Sequence, residues 1–276
     1  MRKRVTLVKY GISSGFRGEG EMDEDLLQKT VEIVRRAKRV VAFTGAGISV
    51  ESGIPDFRGP SGLWEKFDPM EYATIEAFQA NPKKVWGMLK EMAQLLDRSR
   101  PNAAHRALAH LEEMGLLSSV ITQNIDDLHR EAGSRRVIEF HGTSRNLVCM
   151  ICGRIYDRRA VTLDTLPPRC VCSGVLKPNF IFFGEPIPWG AHLEAKEEAG
   201  RCGVMLVIGT SAVVSPACDL PVLAKKQGAV IVEINLEETQ LTRYISNWIL
   251  TGPASEILSR IVGAVSEAIH CRSQAV

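Results

Sequence analysis

Short apolar runs of strand length recur along this chain, separated by longer stretches with helical periodicity. That alternation limits the folds open to it more than any other feature. The runs RVVAF, SSVIT, RVIEF, NFIFF, VMLVIG, AVIVEIN and NWILTG occupy residues 39–43, 118–122, 136–140, 179–183, 204–209, 229–235 and 247–252. From Asp23 to Lys38, Leu26, Leu27, Val31, Ile33 and Val34 fall at helical spacing. Further helices are expected near Trp189–Arg201, Pro216–Gln227 and Ala254–Ile269. Strands alternating with helices of this length imply βαβ units and a parallel sheet.

The alternation is interrupted twice. Residues 61–114 contain no good strand and read as helices near Thr74–Gln79, Pro82–Arg98 and Asn102–Met114, with Pro82 and Asn102 at helix starts. A second block, 143–176, carries two cysteine pairs. The simplest account is an α/β chain with a doubly wound, Rossmann-like sheet. Residues 22–60, 115–142 and 177–270 would form it, and the helical and cysteine-bearing insertions would pack together as a smaller domain. Residues 1–21, rich in Gly, Ser and charge, read as a flexible lead.

Bulk properties exclude some classes of function. A net charge of +2 gives no footprint for nucleic acid. No apolar run reaches the length of a membrane span, and the first twenty residues lack the apolar stretch of a signal peptide. The seven cysteines are odd in number, and four lie in close pairs, which favours metal binding over disulfides and a cytoplasmic setting.

The first strand runs into Gly45-Ala46-Gly47. Glycines at such a turn let backbone amides approach a pyrophosphate, and a helix N-terminus beyond them favours the same anion. Where GxGxxG has its third glycine this chain has Val50, so the turn by itself is as consistent with a plain tight turn. The loop continues through Ser49 to Asp56, Phe57 and Arg58, an acid, an aromatic face and a guanidinium set between the helix breakers Gly53, Pro55 and Gly59.

Asn124 and Asp126 follow the strand SSVIT, at the edge where open α/β sheets build ligand sites. Taken alone, Asn124 reads first as a helix cap. His141 ends the strand RVIEF at the same edge. An isolated histidine there is commonly structural, but beside Asn124 it is a candidate base, since imidazole titrates near neutrality. Cys149-x2-Cys152 and Cys170-x-Cys172 supply four thiolates from two tight turns, the set a tetrahedral Zn²⁺ requires. Four protein ligands would leave no position for substrate, so such a metal would be structural. The bland alternative is a group of core cysteines.

Residues GAGISVESGIPDFRG closely match the signature of the sirtuin family, which the chain resembles over residues 24–268. TQNIDDLH at 122–129, EFHGT at 139–143, the cysteine pairs, FFGE at 182–185, GTS at 209–211 and INLE at 234–237 follow in the family's order. The resemblance implies an NAD-dependent protein-lysine deacylase that yields nicotinamide, free lysine and 2′-O-acyl-ADP-ribose. It implies that His141 deprotonates a ribose hydroxyl. NAD would be bound by Gly45, Ala46, Gly47, Ser49, Asp56, Phe57, Arg58, Gln123, Asn124, Ile125 and Asp126, and further by Gly209, Thr210, Ser211, Asn235 and Leu236. An acyl-lysine peptide would add as a strand along Ile181, Phe183, Gly184 and Glu185, with Phe57 helping to wall the lysine tunnel. Cys149, Cys152, Cys170 and Cys172 would hold one zinc ion. Where relatives that remove acidic acyl groups carry Tyr and Arg, this chain has Leu89 and Met92, which favours acetyl or longer apolar chains. Protein ADP-ribosyltransfer and NAD hydrolysis would use the same pocket. A Rossmann dehydrogenase would leave the missing third glycine and the cysteine insertion unexplained.

Overall fold

The computed structural model describes residues 23–56 and 62–273, less the side chains of 63, 64 and 270–273. Its main sheet has six strands: β1 (Val40–Thr44), β2 (Leu117–Thr122), β3 (Val137–Glu139), β7 (Val204–Ile208), β8 (Val230–Asn235) and β9 (Trp248–Thr251). Every pairing in it is parallel, in the order β3-β2-β1-β7-β8-β9. The chain builds outward from β1 to β3, then returns to place β7 on the other side of β1. The order therefore reverses between β1 and β7, and that reversal opens a crevice at the carboxyl ends of these two strands.

The apolar runs are continuous because both faces of the sheet are covered. Val40 and Ala42 point into one core with Leu206 and Ile208, while Val41 and Phe43 point into the other with Met205 and Val207. The first core is closed by the helices Glu24–Arg36, Ala103–Glu113 and Ala254–Ser273, the second by Trp189–Arg201 and Asp219–Lys226. The first helix shows how local signals agree with packing. Asp23 caps it by accepting from the Asp25 and Leu26 amides, acids open it, arginines close it, and Leu27, Val31 and Val34 face the sheet. Truncating a side chain such as Leu27 to alanine costs about 2–5 kcal/mol in a core of this kind.

A second, three-stranded antiparallel sheet joins β4 (Gly142–Cys149), β5 (Ile155–Asp157) and β6 (Leu176–Phe180) in the order β5-β4-β6. Its core is shared with the helical insertion: Phe78, Val85, Trp86 and Leu89 pack with Leu147, Leu176, Phe180 and Phe182. Trp86 Nε1 donates to Leu176 O at 2.9 Å, and Lys90 Nζ to Leu163 O at 2.9 Å.

Two expectations change. The run NFIFF is not a strand throughout; regular pairing stops at Phe180, and that strand belongs to the small sheet. The boundary expected at 176/177 thus falls inside β6, which pairs with β4 in the small sheet. Periodicity detects a strand but does not say which sheet it joins. The helix expected from Pro216 begins at Asp219. The lead at 1–21 lies outside the described residues. Among the described residues no helix is long and apolar enough to cross a membrane.

Candidate active site at the strand-order reversal

The crevice begins where two backbones touch. Gly45 N donates to Ile208 O at 3.1 Å and Gly47 N to Gly209 O at 2.8 Å, continuing the β1–β7 contact past the ends of both strands. A Cβ on Gly47 would sit 2.8 Å from Gly209 Cα, and one on Gly45 would sit 2.6 Å from Thr210 Cβ. Gly209 itself has φ +58°, and a Cβ there would lie 2.3 Å from Ile48 N. These three positions admit only glycine. The turn Ala46–Ser52 that follows is a 3₁₀ helix, and Val50, at the place of the missing third glycine, is 44% exposed.

At one end of the crevice, Ser49, Asn124 and Asp126 form a single hydrogen-bonded unit. Asn124 Nδ2 donates to Gly45 O at 3.0 Å and to Ser49 Oγ at 3.1 Å, which commits both amide hydrogens and leaves Oδ1 as the group available to a ligand. Ser49 Oγ donates to Asp126 Oδ2 at 2.6 Å, and Leu128 N donates to Asp126 Oδ1 at 3.0 Å. Burial raises the Asp126 carboxyl above its ordinary value, against the pull of those two donors. Asn124 does not cap the next helix; Asp127, at φ 68°, occupies that place. Ala46, Ser49, Asn124, Ile125 and Asp126 share a cavity with Ile54, Pro55, Met92, Leu95 and Leu96. Met92 therefore reaches the cavity, whereas Leu89 is buried in the small-domain core.

Two histidines lie beneath this end. His105 Nε2 lies 3.5 Å from Ser49 Oγ, and His129 Nε2 lies 2.9 Å from Thr44 Oγ1, with the two rings 4.8 Å apart. Burial lowers His105 to about 4, helped by Arg106, and drives His129 well below its ordinary value. Both are neutral at physiological pH. The one local signal for His105 is its spacing from Asn102: the two form a capping box at the start of the helix Ala103–Glu113, which fixes the ring toward Ser49.

His141 stands between β3 and β4. Its Nδ1 lies 2.9 Å from Gln123 O. A carbonyl can only accept, so Nδ1 carries the proton and Nε2 of the neutral ring keeps its lone pair. Burial lowers the His141 pKa, partly opposed by that hydrogen bond. Its ring packs edge-on against Phe140, with centroids 5.4 Å apart. Gln123 then continues across the crevice, donating through Nε2 to Thr210 Oγ1 at 3.0 Å.

At the other end, Asn235 Oδ1 accepts from Thr210 N at 3.0 Å, and Thr210 Oγ1 also accepts from Ala212 N. Asn235 Nδ2 donates to the buried Glu233. Glu233 in addition accepts from the hydroxyls of Thr239, Thr242 and Ser246. Ser211 and Leu236 are exposed, Leu236 at 72%. Asp56 is half-buried at the edge of the described chain, and Phe57 and Arg58 lie outside the described residues.

Beyond β6, Ile181 N donates to His141 O at 3.0 Å. Phe183 is 47% exposed, but its backbone is already engaged: its N–H bonds Ala73 O at 2.8 Å, and its carbonyl accepts from Ile75 N at 3.0 Å. Gly184 has φ +90°. Glu185, expected among substrate contacts, turns its carboxylate inward to Lys177 Nζ and Phe182 N.

The sulfurs of Cys149, Cys152, Cys170 and Cys172 all lie within 4.8 Å of one another. Cys149–Cys172, Cys152–Cys172 and Cys152–Cys170 are 3.5, 3.5 and 3.6 Å apart. Tetrahedral zinc with Zn–S of about 2.3 Å needs sulfurs roughly 3.8 Å apart, so the donor set fits that ion. The Cys172 amide and then the Tyr156 hydroxyl pull the Cys170 thiol down to about 6, and Ile151 N donates to Cys149 Sγ.

Comparison with known proteins agrees with this geometry. The family model described as "Sir2 family" matches residues 45–216. NAD-dependent protein deacylase 2 of Archaeoglobus fulgidus is 46% identical over 247 residues, covering 88% of this chain and 97% of its own. A crystal structure of a Sir2 homolog–NAD complex superposes with TM-score 0.83 at 40% identity, covering 94% of this chain and 99% of its own. A Sir2 structure with a deacetylated p53 peptide and 3′-O-acetyl-ADP-ribose gives 0.81 at 36% identity, covering 86% and 98%. By the family model and by relatives of this identity and coverage, the chain belongs to the Sir2 family.

Proposed function

We propose that the protein is an NAD-dependent protein-lysine deacylase in which His141 is the base. The observation that carries this reading is the state of His141, a neutral imidazole whose Nδ1–H is fixed by Gln123 O. It lies at the same sheet edge as the Ser49–Asn124–Asp126 unit. When bound, NAD supplies the ribosyl carbon that accepts the acyl oxygen and releases nicotinamide.

The residues divide the remaining work. Gly45, Gly47 and Gly209, whose own amides are bonded to neighbouring carbonyls, keep side chains out of the turn so that the pyrophosphate can approach the backbone at Ala46. Thr210, Ser211, Asn235 and Leu236 serve the adenosine half, with Gln123 bridging toward His141. Ser49, Asn124, Ile125 and Asp126 hold the carboxamide end, joined by the loop residues Asp56, Phe57 and Arg58. Asn124 Oδ1 is an acceptor for an amide N–H. Asp126 offers either an acceptor or, when protonated, a donor. His141 Nε2 takes a proton from a ribose hydroxyl.

The acyl-lysine peptide is placed along Ile181, Phe183 and Gly184. The cavity wall of Ile54, Met92, Leu95, Leu96 and Ile125, with the acid Asp126 beside it, supports acetyl or apolar acyl groups over acidic ones. The four cysteines hold a structural Zn²⁺, and four reduced thiols in one knuckle support a cytoplasmic setting. Nucleic acid has no place in this reading.

The test is to incubate protein, NAD and an acetyl-lysine peptide and to follow all products by mass. Nicotinamide and O-acetyl-ADP-ribose formed in step with deacetylated peptide support deacylation. ADP-ribosylated protein, or free ADP-ribose beside unchanged peptide, would replace it with ADP-ribosyltransfer or NAD hydrolysis.

A further inference from the structure

Lys177 is a lysine with almost no access to solvent, and the chemistry assigned to the crevice does not use it. Its side chain is 7% exposed, and Nζ donates to Phe180 O at 2.7 Å, Glu185 Oε2 at 2.9 Å and Pro178 O at 3.1 Å. Glu185 Oε2 also accepts from Phe182 N at 2.8 Å. All three ammonium hydrogens therefore have partners, and each partner lies within eight residues of Lys177 along the chain. The ammonium also sits 5.0 Å from the centre of the Phe182 ring.

The position of this cluster matters because the ordinary means of fixing a strand fail there. The β4–β6 register slips between Gly142 and Leu147, and β6 ends at Phe180. From Ile181 to Glu185 the chain follows an irregular path. It nonetheless makes the contacts that join the two domains at the site: Ile181 N to His141 O on one side, and Phe183 N and O to Ala73 and Ile75 on the other. Where the ladder stops, the lysine gathers the carbonyls of the departing strand, and the glutamate bonds the amide two residues further on.

A buried ion pair is a poor device for stability alone, since its desolvation penalty can cancel its attraction and an apolar pair of similar volume often does as well. What it supplies is one geometry with both charges satisfied. We infer that Lys177 and Glu185 are positioning residues for the acyl-lysine peptide: their buried contact fixes the path of residues 180–185 between His141 and the helical insertion. Glu185 then acts on the peptide through the segment it fastens, without touching it. This inference rests on the deacylase reading and deepens it.

The variants that test it are Lys177→Met, Glu185→Gln and Lys177→Arg in the full-length, zinc-loaded protein. KM for an acetyl-lysine peptide and KM for NAD are measured separately beside kcat, with thermal melting and zinc content as checks on folding. The parent enzyme must first release O-acetyl-ADP-ribose; if it does not, the deacylase reading is what fails.

Given parent turnover, Lys177→Met and Glu185→Gln raise the peptide KM about tenfold, on the scale of a small misplacement at a reacting centre. KM for NAD stays within twofold, and Lys177→Arg recovers most of the loss. Should Lys177→Met fail to fold, Glu185→Gln decides, because it keeps an oxygen for the Phe182 amide while removing the charge. A peptide KM within twofold of the parent in Glu185→Gln overturns the inference. So does a rise of both KM values in step, or a failure of arginine to rescue a folded methionine variant's defect.

Discussion

The two ends of the crevice start from the same architecture, a parallel strand ending in a polar residue, and use it in opposite ways. At the Asn235 end, one buried carboxylate, Glu233, collects three hydroxyls and an amide, and Asn235 is held in turn by Thr210. Its polar groups already have partners within the protein. At the Ser49 end, the polar groups are fewer than the burial demands: Asp126 is pushed up, His105 and His129 are pushed down, and His129 Nδ1 has no hydrogen-bond partner. A saturated network holds a ligand in one pose. An under-partnered one leaves buried polar groups short of partners, which a bound ligand can supply.

The largest test of that contrast is His141→Ala. It should lower kcat by about 10²–10⁴-fold, the usual weight of a positioned base, while calorimetry finds the NAD dissociation constant within twofold of the parent. In the parent, the acid limb of the pH profile should fall below 6.5, because burial lowers the His141 pKa and the base is lost only on protonation. Retained turnover in the alanine variant would move the base elsewhere.

The second test concerns stability. His105 has its folded pKa depressed from 6.5 to about 4. The unfolded chain binds that proton first, so the contribution is fully present above 6.5 and is lost as pH falls toward 4. Linkage puts it at about 3 kcal/mol. Denaturant unfolding of His105→Gln and parent at pH 7 and pH 4.5 should show a shallower dependence in the variant. Equal slopes would mean that the Ser49 end carries no such burden.

Gly47→Ala comes third. Its new Cβ meets the Gly209 backbone at 2.8 Å, so the two loops must part, at about 1–3 kcal/mol of stability. NAD affinity should fall with it, read by thermal melting with and without NAD. An unchanged melting temperature would contradict the close contact. The smallest effect is expected from Glu233→Gln, which keeps the shape and removes the charge its four donors share. About 1–2 kcal/mol of stability should go, with a few-fold rise in the KM for NAD and an unchanged kcat. A fall in kcat would erase the distinction between the two ends.

Much of this molecule is legible in its sequence. Continuous apolar runs announced a sheet covered on both faces, and the helices Pro82–Arg98 and Trp189–Arg201 fall on the ranges their periodicity marked. The glycine turn and the cysteine spacing are local patterns, and local patterns survive in sequence. What stayed hidden depends on partners far apart in the chain. Nothing near His105 tells that Ser49, 56 residues away, will lie above it. NFIFF has the composition of a strand, yet only the pairing of Leu176–Phe180 with β4 shows that it closes the small sheet. Glu185 reads as a peptide contact until Lys177 is seen bonded to its carboxylate.

The shared core of the two insertions has a mechanical meaning. Trp86 is pinned to Leu176, Lys90 to Leu163, and Phe78 rests on Phe182, so the cysteine knuckle and the helix Pro82–Arg98 cannot pivot independently. Whatever torque reaches the knuckle turns the helix, and with it Met92, Leu95 and Leu96 on the wall that faces Asp126. An ion held by the four cysteines would thereby gain leverage over the width of the cavity that Asp126 lines.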